Sequence, residues 1–235
     1  MNIVGHRTAR SVAIASICIG ALLLAACSAG GGHKRDSAGN MIPTPAELDP
    51  AGTLYAETVA QAEAGQCTDN TISILTCFSY RGHGYEGAQT ALGQCMIHSG
   101  KTADGVVWLR RAADAGWPDA QKHMSELYAA GTGVAQSNVD ALAWNNLYVK
   151  NPSLLSLGVE PDRTMSDRLR DATTADEKVA ARQQSDAWSP TYWQPTEKLT
   201  GETAATCRVR MKKQRLNVAP DTYVDPSAPG RAPGT

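Results

Sequence analysis

The chain has 235 residues, of which 42% are hydrophobic and 19% charged, and its formal net charge is −1. This near-neutral balance excludes the strongly basic surface that nucleic-acid-binding proteins need, so no nucleic-acid partner is expected. The length suits one domain with tails. The single phenylalanine, beside abundant alanine and glycine, favours closely packed helices over a β-sandwich.

The N-terminal residues have the pattern of an export leader. Arg7 and Arg10 precede an apolar run over 11–24, which is shorter than the roughly 20 residues of a membrane-spanning helix. The run ends in Leu24-Ala25-Ala26-Cys27, which resembles the bacterial lipobox. The resemblance implies that residues 1–26 are removed and that lipid such as palmitate is attached to Cys27. An ordinary secretory signal with a chance cysteine and an uncut membrane anchor are the alternatives.

The lipobox resemblance also implies a location in the bacterial cell envelope, with membrane contact through the N-terminal lipid. The sorting rules of such lipoproteins retain an aspartate after the cysteine in the inner membrane. Ser28 therefore favours the outer membrane and a domain facing the periplasm, in a cell with two membranes. The leader carries two of the 22 basic residues and none of the 23 acidic ones, so its removal brings the formal charge to about −3.

Both ends of the mature chain have the composition of linkers. Residues 27–50, which after Cys27 open with serine, alanine and glycine, predict a flexible tether, whereas residues 218–235 are rich in proline and predict a disordered tail. Between them, 51–188 is the predicted folded domain and 189–217 is a C-terminal extension held by Cys207. The basic run after this cysteine favours a solvated segment over contact with lipid headgroups or wall polymer.

An internal repeat with an offset of 32 residues runs through the predicted domain. Segments 86–98 and 118–130 carry apolar residues at i, i+4, i+7 and i+8, and both faces open with Ala-Gln. Each segment is followed by a turn that contains glycine and by a second helix, over 102–115 and 138–149. The sequence therefore predicts stacked helix pairs.

A weaker copy of the repeat lies upstream, with a helix near 52–64 and a second segment at 70–81. The β-branched residues of the second segment also allow a strand, but the repeat register favours a helix. Residues 160–188 resemble the tail that closes repeat proteins of this kind. Within them, Thr174 and Glu177 have the spacing of a capping box, which predicts the start of a helix.

The residues placed in the repeat core are small or aromatic and recur at helical spacing. They are Ala88, Leu92, Trp108, Ala120, Leu127, Tyr128 and Trp144. One helix pair cannot bury its own apolar face, so stacked neighbours must share a continuous core. We expect the two tryptophans to fill that core and not to form a ligand platform.

The repeat resembles the SEL-one-like repeat family, a branch of the TPR-related α-solenoids. The resemblance is carried by Trp108-Leu109-Arg110-Arg111-Ala112-Ala113-Asp114-Ala115-Gly116, Ala120-Gln121, Leu127-Tyr128, Gly131-x-Gly133-Val134 and Ala141-x-x-Trp144. The copy at 85–101 departs from the family pattern, with Cys95-Met96 in place of Leu-Tyr and a shortened glycine turn. The resemblance implies an all-α fold, an α-α solenoid of about three helix-turn-helix repeats with C-terminal capping helices. It also implies a role in protein–protein interaction.

Four cysteines remain once Cys18 leaves with the leader and Cys27 takes lipid. They are Cys67, Cys77, Cys95 and Cys207, and an even number in an exported chain predicts two disulfides, with three possible pairings. Free thiols are the alternative, and no Cys-x-x-Cys spacing predicts a zinc site. Equivalent helices of a solenoid run parallel, so the helix ends that carry Cys67 and Cys95 can meet. Cys77 is then left for Cys207, although a bond between Cys67 and Cys77 stays open.

Candidate catalytic groups are few. His123 and Glu126, like His83 and Glu86, are one helical turn apart, a spacing that suits two metal ligands or a base with its orienting group. No third ligand is evident, no serine lies in a nucleophile motif, and His123 falls off the apolar stripe, where we expect it to be solvated. The sequence therefore predicts no catalytic residue, metal or cofactor.

Three functional hypotheses follow. The leading one is a non-enzymatic, membrane-anchored lipoprotein that binds an unidentified envelope protein through the concave solenoid surface. The second is an envelope enzyme or ligand-binder acting on wall peptide or β-lactam, because some secreted cysteine-rich members of the repeat family have been linked to penicillin binding. The third is a structural lipoprotein without a discrete partner. The presence of a binding groove would distinguish the first hypothesis from the third, because a scaffold without a partner needs no groove.

Overall fold

Helix boundaries follow start and stop signals in the sequence. The computed structural model describes residues 37–38, 40, 42, 44–196, 199, 201 and 204–207, in which regular secondary structure is helical with no strand. The helices are α1 (Pro45–Leu48), α2 (Pro50–Glu63), α3 (Asp69–Ser79), α4 (Glu86–His98), α5 (Thr102–Asp114), α6 (Pro118–Ala130), α7 (Asn138–Val149), α8 (Pro152–Ser156), α9 (Thr164–Ala172) and α10 (Ala175–Asp186). The chain divides between Ile42 and Pro43, and all these helices belong to the second unit. The predicted leader, Cys27, the basic run after Cys207 and the tail 218–235 lie outside the described residues.

The segment 70–81 forms a helix, so the strand that its β-branched residues allowed is not adopted. The Thr68 hydroxyl accepts a hydrogen bond of 3.1 Å from the Thr71 N–H and caps the start of α3. Leu75 and Phe78, three residues apart, are both buried against the neighbouring helices. Tertiary burial of this face outweighs the weak β preference of the β-branched residues in the segment.

Two of the predicted boundary signals have the expected geometry. The Thr174 hydroxyl accepts from the Glu177 N–H at 3.3 Å, and the Glu177 carboxylate accepts from the Thr174 N–H at 2.7 Å, which completes the capping box of α10. Gly116 and Gly131 follow α5 and α6 with φ of 91° and 71°. L side chains rarely adopt this left-handed conformation, so these turns require glycine.

The helices pack in chain order and form three pairs. Helix α2 packs on α3 and α4, each later helix packs on the next up to α7, and α7 packs on α9 and α10. The pairs are therefore α2/α3, α4/α5 and α6/α7, with α9 and α10 closing the array. This arrangement confirms the predicted all-α fold with solenoid-like stacking of helix pairs.

The repeated Ala-Gln pair links each helix pair to the one before it. The Gln89 side-chain amide donates to the carbonyl of Ser79 at 3.3 Å, and the amide of Gln121 donates to the carbonyl of Ala113 at 3.4 Å. Both glutamines are buried, and both carbonyls lie in the last turn of the preceding helix. Each carbonyl also accepts from the N–H of the glycine three residues later, Gly82 or Gly116, so the glutamine adds a second hydrogen bond there and pairs its own buried amide.

The buried side chains form two clusters that meet at α5. The first joins α2 to α5 and includes Phe78, Leu92 and Trp108, and the second joins α5 to α7 and includes Leu109 and Trp144. The adjacent residues Trp108 and Leu109 of α5 therefore belong to different clusters, so this helix contacts both halves of the core. Of the predicted repeat-core residues, Ala88, Leu92, Trp108, Ala120, Leu127 and Trp144 are buried.

Tyr128 differs from this expectation because it is only half-buried. It packs at the edge of the second cluster, and its hydroxyl accepts a hydrogen bond from the Arg110 guanidinium. The same guanidinium lies 5.1 Å from the ring centroid of Trp144. The phenol thus keeps its polar end at the surface, as a tyrosine at a core edge commonly does.

We expect Leu127→Ala to lower the free energy of unfolding by about 2–5 kcal/mol, because the leucine is buried in the second cluster and its removal leaves a cavity. Urea denaturation of both proteins measures the difference. Val179→Ala on the exposed face of α10 is the control, with an expected change within roughly 0.5 kcal/mol. Equal effects of the two substitutions would contradict the assigned core.

Both disulfides are present in the described structure. Cys67 is bonded to Cys95 with a Cα–Cα distance of 5.2 Å, and Cys77 is bonded to Cys207 with a Cα–Cα distance of 5.4 Å. The repeat register favours the same pairing, and the alternative bond between Cys67 and Cys77 is not formed. The first bond joins the loop between α2 and α3 to α4, and the second joins α3 to the C-terminal extension.

The extension after α10 runs back over the earlier repeats. The Thr191 N–H donates to the Asp114 carbonyl at 2.8 Å, at the end of α5. The Trp193 ring then packs edge-on against Trp108, with ring centroids 5.4 Å apart. The Arg111 guanidinium lies over both indoles, 4.4 Å and 4.0 Å from their centroids. The extension is therefore held by aromatic packing as well as by Cys207.

The end of the predicted tether is helical. Residues 27–50 were expected to form a linker throughout, but Pro45–Leu48 forms α1 and Pro50 begins α2. The Glu47 carboxylate accepts from the Thr44 N–H at 2.8 Å, and the Asp49 carboxylate accepts from the Gly52 N–H at 2.8 Å. These short-range caps stabilise helix starts that composition alone does not reveal.

Candidate functional site

A groove of about 630 Å³ lies along the first helices of the three pairs, α2, α4 and α6. Its volume falls within the range of clefts that hold ligands or peptide segments. Its lining combines aromatic, small apolar and charged side chains: Tyr55, Ala56, Val59, Ala60, Glu63, Gly87, Thr90, Ala91, Gln94, Trp117, Asp119, Lys122 and His123. Every pair of the solenoid therefore contributes to one surface.

Trp117 and Tyr55 form an aromatic wall of the groove, and a glycine makes room for them. A side-chain carbon on Gly87 would meet the Tyr55 hydroxyl and would lie 3.3 Å from Cζ2 of Trp117. Trp117 keeps 37% of its surface exposed, while burial raises the pKa of Tyr55. A large aromatic surface that stays accessible beside a concave wall suits contact with an apolar side chain of a ligand.

His123 is partly buried in the groove and not solvated as expected. Its Nδ1 lies 2.9 Å from the Glu126 carboxylate, and its Nε2 is hydrogen-bonded to the side-chain amide of Gln94 on α4. Burial raises the pKa of Glu126, but the hydrogen bond and charge of His123, with Lys122 nearby, outweigh burial and leave it below its usual value. The histidine thus joins α4 to α6 across the floor of the groove.

Lys122 is held at the edge of the groove by a partner beyond it. Its ammonium lies 2.9 Å from the Asp162 carboxylate, and this hydrogen bond, against the opposing effect of burial, raises the pKa of the lysine. Hydrogen bonds from Thr164 and then the Lys122 contact hold the pKa of Asp162 well below its usual range. The lysine is therefore charged at neutral pH and fixed in position.

The second predicted histidine–glutamate pair, His83 and Glu86, is not part of the groove lining. His83 Nδ1 is 2.7 Å from the Glu86 carboxylate, which also accepts from the Gly84 N–H at 3.0 Å. The His83 ring packs against Tyr192 of the extension, with centroids 4.0 Å apart. This pair therefore helps to hold the turn before α4 against the C-terminal extension.

Neither histidine pair acquires a further ligand in the described part of the chain. There, no three histidine, cysteine, aspartate or glutamate side chains come together as a metal site requires. The same residues contain no helix with the length and apolar character of a membrane span. The chemistry that the groove offers is contact with aromatic rings, hydrogen bonds and paired charges.

Sequence reasoning placed the groove helices but missed several of its residues. Gln94 is polar and lies off the apolar stripe of its helix. Trp117 is the residue before a helix, and Tyr55 belongs to the weakest repeat. The one available signal was the 32-residue repeat itself, since the first helix of each pair occupies the same position in the stack. No protein-family model matches this chain, and no curated protein is similar enough to it to count as a match.

Proposed function

We propose that the protein is a lipid-anchored lipoprotein of the bacterial cell envelope that binds another protein through the groove of α2, α4 and α6. The observation that carries the proposal is the groove itself, which is about 630 Å³ in volume and receives side chains from three successive helix pairs. A structural lipoprotein without a partner requires no such concavity. The repeated pairs support the likeness to SEL-one-like repeats, whose usual role is protein binding.

The composition of the groove supports a protein partner. Trp117 offers an exposed aromatic face, and Val59 and Ala91 add apolar surface beside it. Glu63 and Lys122 place opposite charges along the same surface. Aromatic anchors within a polar rim are typical of the residues that dominate protein–protein affinity.

The geometry of His123 supports binding over catalysis. Both ring nitrogens are hydrogen-bonded, one to Glu126 and the other to Gln94, so neither is directed at a ligand in the groove. A general base must reach the proton that it abstracts, and here that would require breaking the contact between α4 and α6. The histidine therefore acts in our proposal as a bridge that sets the width of the groove.

The lipid anchor remains part of the proposal on the strength of Leu24-Ala25-Ala26-Cys27. Two disulfides among the described residues suit an oxidising compartment such as the periplasm. The position of Ser28 favours the outer membrane. With these features the solenoid acts as a binding domain held close to a membrane.

The test is affinity capture of envelope proteins by the purified chain and by a groove variant, Asp119→Lys. Asp119 is exposed and lines the groove, so reversal of its charge should reduce capture of a specific partner at least tenfold with no loss of folding. Asp176→Lys, an exposed charge reversal in the first turn of α10, is the matched control and should bind normally. Equal capture by all three proteins would contradict the assigned groove. Turnover of a penicillin analogue that is lost in His123→Ala would favour the enzyme instead.

A further inference from the structure

The turn formed by α8 and the residues after it exposes a compact set of apolar side chains. Leu155, Leu157 and Val159 are 57%, 76% and 48% exposed, although all three lie within five residues. The run from 151 to 159 contains no charged residue, and Lys150 precedes it. We call residues 152–159 the apolar turn. Exposed apolar side chains so close in sequence are a candidate site of contact with a protein or a membrane.

Several backbone N–H groups of the apolar turn are paired within it. The Leu157 N–H donates to the Ser153 carbonyl at 3.3 Å, the Gly158 N–H to the Leu155 carbonyl at 3.1 Å, and the Val159 N–H to the Leu154 carbonyl at 3.0 Å. The Asn151 side chain accepts from the Ser153 N–H at 3.0 Å. Polar groups that enter lipid must be paired internally, because hydrocarbon offers them no partner.

Both ends of the apolar turn are fixed to the solenoid. The Asn151 amide donates to the carbonyl of Gly116 and to the side chain of Gln121, each at 2.9 Å, and Asn151 is buried. At the other end, the Asp162 N–H donates to the Tyr148 hydroxyl at 3.0 Å. The apolar side chains are therefore presented from a rigid base and need no refolding to meet a surface.

We propose that the apolar turn inserts into the interfacial region of a phospholipid bilayer, with Leu157 deepest. This inference rests on the proposed function, because a lipid on Cys27 would hold the domain near a membrane. Sixteen residues separate Cys27 from Thr44, the first residue of the continuously described chain, and they span at most about 55 Å. The three apolar side chains bind a free vesicle only weakly, but at such short range the same contact is effectively intramolecular and needs no further affinity.

Lipid fits the apolar turn better than a protein surface does. A stable protein interface surrounds its apolar centre with a polar rim and hydrogen bonds, whereas residues 151–159 offer three aliphatic tips and no charge. The Lys150 side chain, 66% exposed at the start of the run, lies 3.8 Å from the exposed Asp186 carboxylate, and this ion pair stays at the level of the headgroups while the apolar side chains enter the acyl region. Insertion orients the solenoid, since Asn151 and Tyr148 tie the two ends of the turn to α6 and α7.

The test uses the mature chain, residues 27–235, with Cys27→Ser so that no lipid is present. All described helices lie after residue 43, so the processed chain retains the folded unit. Co-sedimentation with vesicles of phosphatidylethanolamine and phosphatidylglycerol in equal parts should reveal weak binding that Leu157→Ser reduces about tenfold. Val179→Ser, at a 55% exposed apolar residue of α10, is the matched control and should bind as the parent does.

A second measurement removes the dependence on variants. Vesicles should slow amide hydrogen exchange in residues 153–159 of the parent chain and leave α10 unchanged. Absence of vesicle binding, or equal loss in Val179→Ser, would overturn the proposal. If the parent chain dimerises as its concentration rises, Leu157→Ser abolishes the dimer, and the parent does not bind vesicles, then the turn is a contact between two copies of the chain instead. Intact mass of the natural protein tests acylation of Cys27 separately, so failure of the anchor and failure of the turn are distinguishable.

Discussion

Replacement of Cys77 and Cys207 by serine is expected to lower the free energy of unfolding by about 5 kcal/mol. The bond joins residues 130 apart in sequence, and closing so long a loop removes a large part of the conformational entropy of the unfolded chain. The native structure should lose little else, because Trp193 continues to hold the extension against Trp108. Guanidinium denaturation of the parent and the double variant measures the change.

The other disulfide is the matched control for this prediction. Cys67 and Cys95 are 28 residues apart, so their replacement by serine should cost less, about 3–4 kcal/mol by the same loop-closure argument. Cys95 is also fully buried, which adds a packing loss that works against the expected order. A smaller loss for the long loop than for the short one would show that packing at Cys95, strain or residual structure in the unfolded chain outweighs loop entropy.

Gly105→Ala is expected to destabilise the protein by about 2–4 kcal/mol, although alanine is normally the better helix former. A side-chain carbon at residue 105 would lie 2.6 Å from the carbonyl oxygen of Gly93 and 3.0 Å from the backbone N of Ile97. Backbone atoms cannot move aside like a flexible side chain, so α4 and α5 would have to separate. The expected loss exceeds the roughly 1 kcal/mol gain that alanine offers over glycine in a helix.

The neighbouring substitution Asp104→Ala provides the control on the same helix. Asp104 is exposed, so its replacement should change the free energy of unfolding by no more than about 0.5 kcal/mol. Thermal unfolding followed by circular dichroism compares the two variants with the parent. A Gly105→Ala protein more stable than the parent would be incompatible with the close crossing of α4 and α5.

The sequence predicts most of this fold because helix formation here depends on local signals. Helices α4, α6 and α7 begin and end at the residues that apolar spacing and glycine turns predict, and buried Leu92 and Trp144 lie on the expected faces. The start of α2 and the short α1 are less evident, since their caps at Thr44 and Asp49 lie in a stretch with the composition of a linker. Composition averages over residues, whereas a cap depends on one side chain.

The candidate site is less predictable because it depends on contacts between distant residues. His123 was expected to be solvated, yet it meets Gln94, 29 residues earlier, across the groove. Leu157 is likewise exposed because no other element packs over it in the described structure. Hydrophobic periodicity in the sequence does not reveal which elements will pack together. Local spacing shows which face of a helix is apolar, but not the distance to the next helix.

The sequence by itself determined the helix pairs, their glycine turns, their apolar faces and the cysteines available for two bonds, because each of these depends on nearby residues or on the repeat register. The tertiary structure decided how closely the pairs approach, and thereby whether a groove remains between them. At Gly93 and Gly105 the backbones of α4 and α5 touch, whereas α4 and α6 are joined across the groove by long side chains such as Gln94 and His123. Helix separation depends on the volumes of side chains that meet only after folding, so the width of the groove follows from packing and not from periodicity.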